Sequence, residues 1–240
     1  MQNQRISYLD FCKAFGMYLV YYGHFIEKLY YAGIKILFWE LKLIYSFHVP
    51  LFFFIAGIFW KPDSTPLWNI LIKKIRTRIL PVLMFSLITI PFFLLWDRLP
   101  LSALLGKVKY YMLGQPMLNW VTWFLICLFS VEVIVSIISK ITQLTRKVNI
   151  PLCILFLFVI GFFLTENFQY MALNMPMNFW FINEAFVAAG FYLSGYLIRP
   201  ILEKPCHKLL DACGLMVFGI LLIITFDLNQ GAFSNQHAIV

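Results

Sequence analysis

The chain has 240 residues, of which 62% are hydrophobic, 19% aromatic and only 12% charged, and its mean hydropathy is strongly positive. This balance excludes an ordinary soluble globular domain and points to an all-α, polytopic membrane protein. The net charge of +8 is carried between apolar stretches, where it sets orientation, so no nucleic-acid partner is expected.

A spanning helix needs about 20 mainly apolar residues. In chain order the candidates are about 7–26, 35–59, 79–97, 119–139, 150–165, 181–198 and 209–226. The expected fold is therefore a single transmembrane helix bundle of about seven spans over residues 1–240, with no soluble domain. The first stretch has no small-residue cleavage site and carries charges inside its apolar region, so it is expected to stay as a span. The second opens on a more polar lead, KILFWELK, placed at the membrane interface. Pro81 starts the third and Pro91 lies inside it, which predicts a kinked helix with freed carbonyls. Residues 98–118 form the longest outer loop, and KVKYYMLG within it suggests an interfacial helix or a cap on the acceptor side. No internal or inverted repeat is visible.

Placing the amino terminus in the cytoplasm puts Arg5, Lys61, Lys73, Lys74, Arg76, Arg78, Lys140, Arg146, Lys147, Arg199, Lys204 and Lys208 inside. Only Lys28, Lys35, Arg98, Lys107 and Lys109 then fall outside, so the positive-inside rule favours this orientation. Cys12, Cys127, Cys153, Cys206 and Cys213 form no C-x-x-C pair and no ligand spacing with the histidines. Neither a disulfide framework nor a metal site is expected, and the cysteines read as small apolar residues. His207 and His237 read as solvated loop residues.

Ionisable groups inside a membrane segment are costly and normally face a bundle interior or a watered cavity. LDFCKAFGMYLVYYGHF, residues 9–25, holds Asp10, Lys13 and His24. Eleven residues separate Lys13 from His24, and eleven steps of about 100° return to nearly the same direction, so the two share a helix face about 16 Å apart along the axis. Asp10, three residues before Lys13, can pair with it. The stripe is either a polar path or a boundary ion pair with an interfacial histidine. In YSFHVPLFFFIAGIFW, His48 sits deep among aromatics, either as a catalytic imidazole or as a packing residue held by a carbonyl freed near Pro50.

IKKIRTRILP gathers Lys73, Lys74, Arg76 and Arg78, a set that can grip phosphates or anchor the chain to anionic lipid. Glu132, with Ser136 one turn on, is a deep carboxyl that could relay protons or stay neutral and hydrogen-bonded. Asn183 and Glu184 stand at the outer end of the sixth span.

LDFCKAFGMYLVYYGH, FHVPLFFFIAGIF, RTRILP and WFLICLF, in that order, resemble the acyltransferase 3 family of integral membrane O-acyltransferases, in particular its fucose 4-O-acetylase-like branch. FYLSGYLIR is similar to a later helix of the family. The resemblance implies transfer of an acyl group, commonly acetyl, from cytoplasmic acyl-CoA to a hydroxyl of a cell-surface sugar or polysaccharide precursor, without a metal. It further implies a multi-pass protein of the bacterial inner or plasma membrane.

The family's basic-x10-His signature falls on Lys13 and His24, with Lys in place of the more usual Arg, and the second-helix histidine falls on His48. Of the R-x-x-R motif, Arg78 matches the second arginine, whereas position 75 is Ile and Arg76 or Lys74 must substitute. On this basis His24, Lys13 and His48 are the expected catalytic residues. Lys73, Lys74, Arg76 and Arg78 are expected to bind the cofactor. Members usually have more helices than are counted here, so the chain is expected to lack the family's last helices. The chain would then be a truncated gene product, a fragment or a shortened variant, with a homo-oligomer or a partner that supplies the missing helices as the expected association. The rival classes are a transporter or flippase-like protein for a lipid-linked sugar, and an inactive truncated paralogue.

Overall fold

The computed structural model describes residues 7–96, 98, 100–142, 149–167 and 178–202. The expected span 209–226 lies outside these residues, as do Arg5, Arg146, Lys147, Lys204, Lys208, Cys206, Cys213, His207 and His237. Among the described residues every regular element is helical: α1 (Ser7–Tyr31), α2 (Phe38–Ile58), α3 (Leu67–Lys74), α4 (Leu80–Leu95), α5 (Leu101–Lys109), α6 (Trp123–Thr142), α7 (Asn149–Asn167) and α8 (Ile182–Leu202).

Four continuous helical stretches among them are long and apolar enough to cross a membrane: Lys35–Ile58, Leu67–Leu95, Trp120–Thr142 and Phe179–Leu202. Helix α7 is apolar but short. Helix α1 is long enough, but Asp10, Lys13, Glu27 and Lys28 make it more polar than the other four.

The described chain forms two compact units, whose boundary falls inside α8 between Leu193 and Ser194. In the first unit α1 packs antiparallel on α2. A Cβ built on Gly16 would lie 2.9 Å from the Phe52 ring, and one on Gly23 would lie 3.1 Å from the Tyr45 ring. Seven residues apart on α1, these glycines meet residues seven apart on α2 in the opposite order. Removing two side chains from one face lets the helices approach closely. Leu19 and Ile26 of α1 and Leu41 and Ile44 of α2 fill the seam, with Tyr22 and Tyr45 against it. In the same unit Gly195 of α8 lies close to the α2 backbone, where a Cβ would clash with the Phe54 carbonyl oxygen.

In the second unit α6 carries a buried face of Ile126, Cys127, Leu128, Val131 and Val135, and the first half of α8 buries Ala185, Ala188, Ala189, Tyr192 and Leu193. Gly161 on α7 receives Val187, and Gly190 on α8 receives the Phe158 ring, so small residues again set the spacing between helices. The third expected span proves longer than its predicted limits, because α3 and α4 are joined without a break by a π-helical turn, Ile75–Ile79. Pro81 lacks the amide that would bond the carbonyl of Thr77, and the wider π turn takes up that mismatch directly before the proline. The expected helix in the 98–118 loop is α5, followed by a 3-10 turn, Tyr110–Leu113. The Tyr111 hydroxyl ties that turn to Ser86 at 2.6 Å and accepts the Leu118 amide at 3.2 Å.

Candidate functional site

The first unit gathers titratable groups at the α1–α2 seam. Lys13 and His24 lie on one unbroken helix, so their eleven-residue spacing does place them on one stripe. Lys13 Nζ is 3.6 Å from Asp10 Oδ1, the pairing expected from sequence, and stands 4.2 Å above the Phe59 ring. Both members of the ion pair are exposed by about two-fifths (42% and 38%), so the pair is mainly local orientation and contributes little stability.

His24 is exposed, and its neighbours are ones that sequence reasoning missed. Nδ1 lies 3.1 Å from Glu27 Oε2 and 3.1 Å from the Tyr45 hydroxyl, while that hydroxyl donates to Glu27 Oε2 at 2.9 Å. The carboxylate has no proton to give, so His24 carries its proton on Nδ1 and, when neutral, offers the lone pair of Nε2. This is the arrangement of an oriented base: a carboxylate fixes the tautomer, and the far nitrogen is free to act.

Tyr45 also meets His48, edge to face at 5.0 Å between ring centroids, while its ring lies 6.2 Å from that of His24. His48 is buried, and its Nδ1 donates to the Ile44 carbonyl at 2.8 Å. The expected carbonyl holding the ring is thus present, but it belongs to Ile44 and is not the Ser46 carbonyl that Pro50 frees. Since a carbonyl only accepts, the neutral His48 ring also leaves its lone pair on Nε2.

The second unit holds the basic segment. Glu132, with a side chain only 4% exposed, accepts Lys74 Nζ at 2.8 Å and the Arg78 guanidinium through Nη2 at 2.9 Å and Nε at 3.0 Å. Ser136 bonds the Glu132 backbone carbonyl at 2.6 Å, so the pair expected on one face is joined through the main chain. Lys73 and Arg76 stay exposed and line an open groove with Asn69, Ile72 and Thr77.

Asp63, in the loop before α3, accepts the Thr65 backbone amide at 2.9 Å, which holds its carboxyl below the usual range, and Lys73 and Lys140 lower it further. The four cations read as one cluster are therefore two pairs in different surroundings. Asn183 and Glu184 are turned inward: the Asn183 amide donates to the Leu164 carbonyl at 3.2 Å, and Glu184 accepts the Asn178 amide.

The described residues thus combine membrane-length apolar helices, an imidazole oriented by a carboxylate and a basic groove. The sequence profile of the acyltransferase 3 family, described as an acyltransferase domain, matches residues 6–239. The chain belongs to that family and is an integral membrane acyltransferase by class. No curated protein and no solved structure matches it.

Proposed function

We propose that the protein moves an acetyl group from cytoplasmic acetyl-CoA to a hydroxyl of a cell-surface sugar or polysaccharide precursor, in a bacterial inner membrane and with its amino terminus in the cytoplasm. The observation that carries this is the Glu27 carboxylate on His24 Nδ1, because it leaves Nε2 of an exposed imidazole available as a base. Nε2 takes the proton of the acceptor hydroxyl as its oxygen bonds the thioester carbonyl carbon. The tetrahedral adduct then collapses, the carbon–sulfur bond breaks, and the leaving thiolate takes that proton back from His24. Tyr45 holds Glu27 and His24 together, and His48 orients the acceptor through its own Nε2.

Lys13 lies about 16 Å from His24 along the helix, too far to touch the same carbonyl. Its role is to orient the donor nearer the cytoplasmic end of the stripe. Lys73 and Arg76 meet the phosphates of the coenzyme. Lys74 and Arg78, held on Glu132, support them.

The test uses the full chain in lipid nanodiscs with labelled acetyl-CoA and a sugar acceptor. Wild type is expected to move label to the acceptor, and His24→Gln, folded and inserted, is expected not to. Label transfer by His24→Gln removes it as the base, and movement of a lipid-linked sugar without label transfer favours a transporter. An impermeant thiol reagent should reach Cys206 only after cells are permeabilised; labelling from outside reverses the orientation.

A further inference from the structure

We propose, taking the acyl-CoA assignment above for the identity of the anion, that Glu132 is a positioning residue. By holding Lys74 and Arg78 it leaves Lys73, Arg76 and Asn69 as the set that binds a phosphate group. Lys74 and Lys73 are adjacent in sequence, and so nearly are Arg76 and Arg78, yet each pair is split. Lys74 and Arg78, four residues apart, turn to one side and meet Glu132. Lys73 and Arg76, three apart, turn to the open groove.

Both Glu132 oxygens are occupied: Oε1 accepts from Lys74 and Arg78, and Oε2 accepts Arg78 Nε. Arg78 spends Nε and Nη2 on Glu132, which offsets its charge, so turning that same edge to a phosphate would break a buried pair, at a cost. Arg78, the arginine that fits the family motif best, is therefore committed to Glu132, and Arg76 carries the uncompensated charge that faces the groove.

The groove supplies what a phosphate group needs. Lys73 gives a point charge, Arg76 a planar fork of donors, and the Asn69 amide a neutral donor. Thr77 lines the same groove, where its hydroxyl donates to the Lys73 carbonyl at 2.9 Å and fixes that turn. Arg76, Thr77 and Arg78 all belong to the π turn Ile75–Ile79, and such single wide turns recur at functional sites. By fastening Lys74 and Arg78, at and just before the turn, Glu132 fixes the rotation that aims Arg76 outward.

The shared chemistry is a phosphate group, whose source is either a coenzyme phosphate or an anionic lipid headgroup. The experiment measures equilibrium binding of CoA and of 3′-dephospho-CoA to the full chain, in nanodiscs of phosphatidylcholine alone and with phosphatidylglycerol added. Wild type is expected to prefer CoA. Lys73→Ala and Arg76→Ala are each expected to weaken CoA binding about tenfold and to erase that preference.

Glu132→Gln is the decisive variant, because removing a negative charge near an anion site should tighten binding if charge alone matters. Positioning predicts the opposite, about tenfold weaker CoA binding with partial rescue by Glu132→Asp. CoA bound equally well or better by Glu132→Gln overturns the proposal. So does unchanged CoA binding by Lys73→Ala and Arg76→Ala, which sit at exposed positions and serve as the test if Glu132→Gln does not fold. Loss of phosphatidylglycerol enrichment in those two variants, with CoA binding intact, assigns the groove to lipid and overturns the coenzyme source. Binding is read without turnover, so a chain that binds CoA in this way but transfers no acetyl group refutes the acetyltransferase reading alone.

Discussion

Glu27 stands one helical turn beyond His24 on α1, with its Oε2 3.1 Å from the imidazole Nδ1. That contact requires neither a loop nor another subunit, because residues three apart on a helix are neighbours. The second grip on the carboxylate comes across the helix seam, from the Tyr45 hydroxyl at 2.9 Å. The imidazole is therefore oriented from its own helix and braced from the next.

Replacing Glu27 separates the tautomer effect from the charge effect. In Glu27→Gln the amide oxygen can still accept the Nδ1 proton, so acyl transfer should fall less than in Glu27→Ala, which loses both the acceptor and the charge. General acid–base groups contribute about 10²–10⁴-fold, and Glu27→Ala should approach the lower end of that range in kcat with KM for the donor nearly unchanged. Steady-state kinetics on both variants checks the order, and equal losses would mean that only the charge matters.

Tyr45→Phe keeps the ring that packs against Gly23 and touches both imidazoles, and removes only the hydroxyl. The variant should insert and fold, with a loss of about 1 kcal/mol for the bond to Glu27. Transfer should fall less than in Glu27→Ala. Thermal unfolding and turnover measured on the same preparation give both numbers, and a drop in turnover as deep as that of His24→Gln would make Tyr45 a proton donor or acceptor in its own right.

The α1 stripe was legible because helical arithmetic depends on nothing outside one helix. The Asp10–Lys13 pair and the common face of Lys13 and His24 both follow from it. Glu27 was equally within reach of that arithmetic, three residues past His24. Tyr45 was not, because its contact depends on the α1–α2 register that Gly16 and Gly23 set. The division of the basic segment was half legible: the spacing already puts Lys74 with Arg78 and Lys73 with Arg76. The missing half was Glu132, more than fifty residues away in the chain, whose carboxylate decides which pair is neutralised. Pro81 signalled a disturbed helix, but sequence could not say whether the outcome would be a kink or a π turn.

Gly195 provides a sharp packing test. A Cβ there would clash with the Phe54 carbonyl oxygen, a backbone atom that cannot rotate away, whereas a Cβ on Gly106 of α5 would meet nothing within 4 Å. Gly195→Ala should therefore cost about 1–3 kcal/mol through overpacking. Gly106→Ala should be neutral or stabilising by up to about 1 kcal/mol, since alanine favours the helix. Unfolding of both variants in the same detergent checks the contrast, and equal stabilities would mean that α8 can shift off α2 without loss.

The Glu132 triad should show the asymmetry of buried ion pairs. Glu132→Leu leaves the Lys74 ammonium and the Arg78 guanidinium, whose side chains are only 20% and 31% exposed, facing each other without their counter-charge. Removing one partner from such a site costs about 3–5 kcal/mol, whereas replacing the whole set with apolar residues of similar volume is often neutral or better. Glu132→Leu alone should unfold at clearly lower temperature, and adding Lys74→Met and Arg78→Met should restore most of the loss. If the triple variant is as unstable as the single one, the carboxylate holds the π turn by more than its two salt bridges. In that case Lys73 and Arg76 should lose their outward aim in the triple variant as well, which the CoA-binding measurement would register directly.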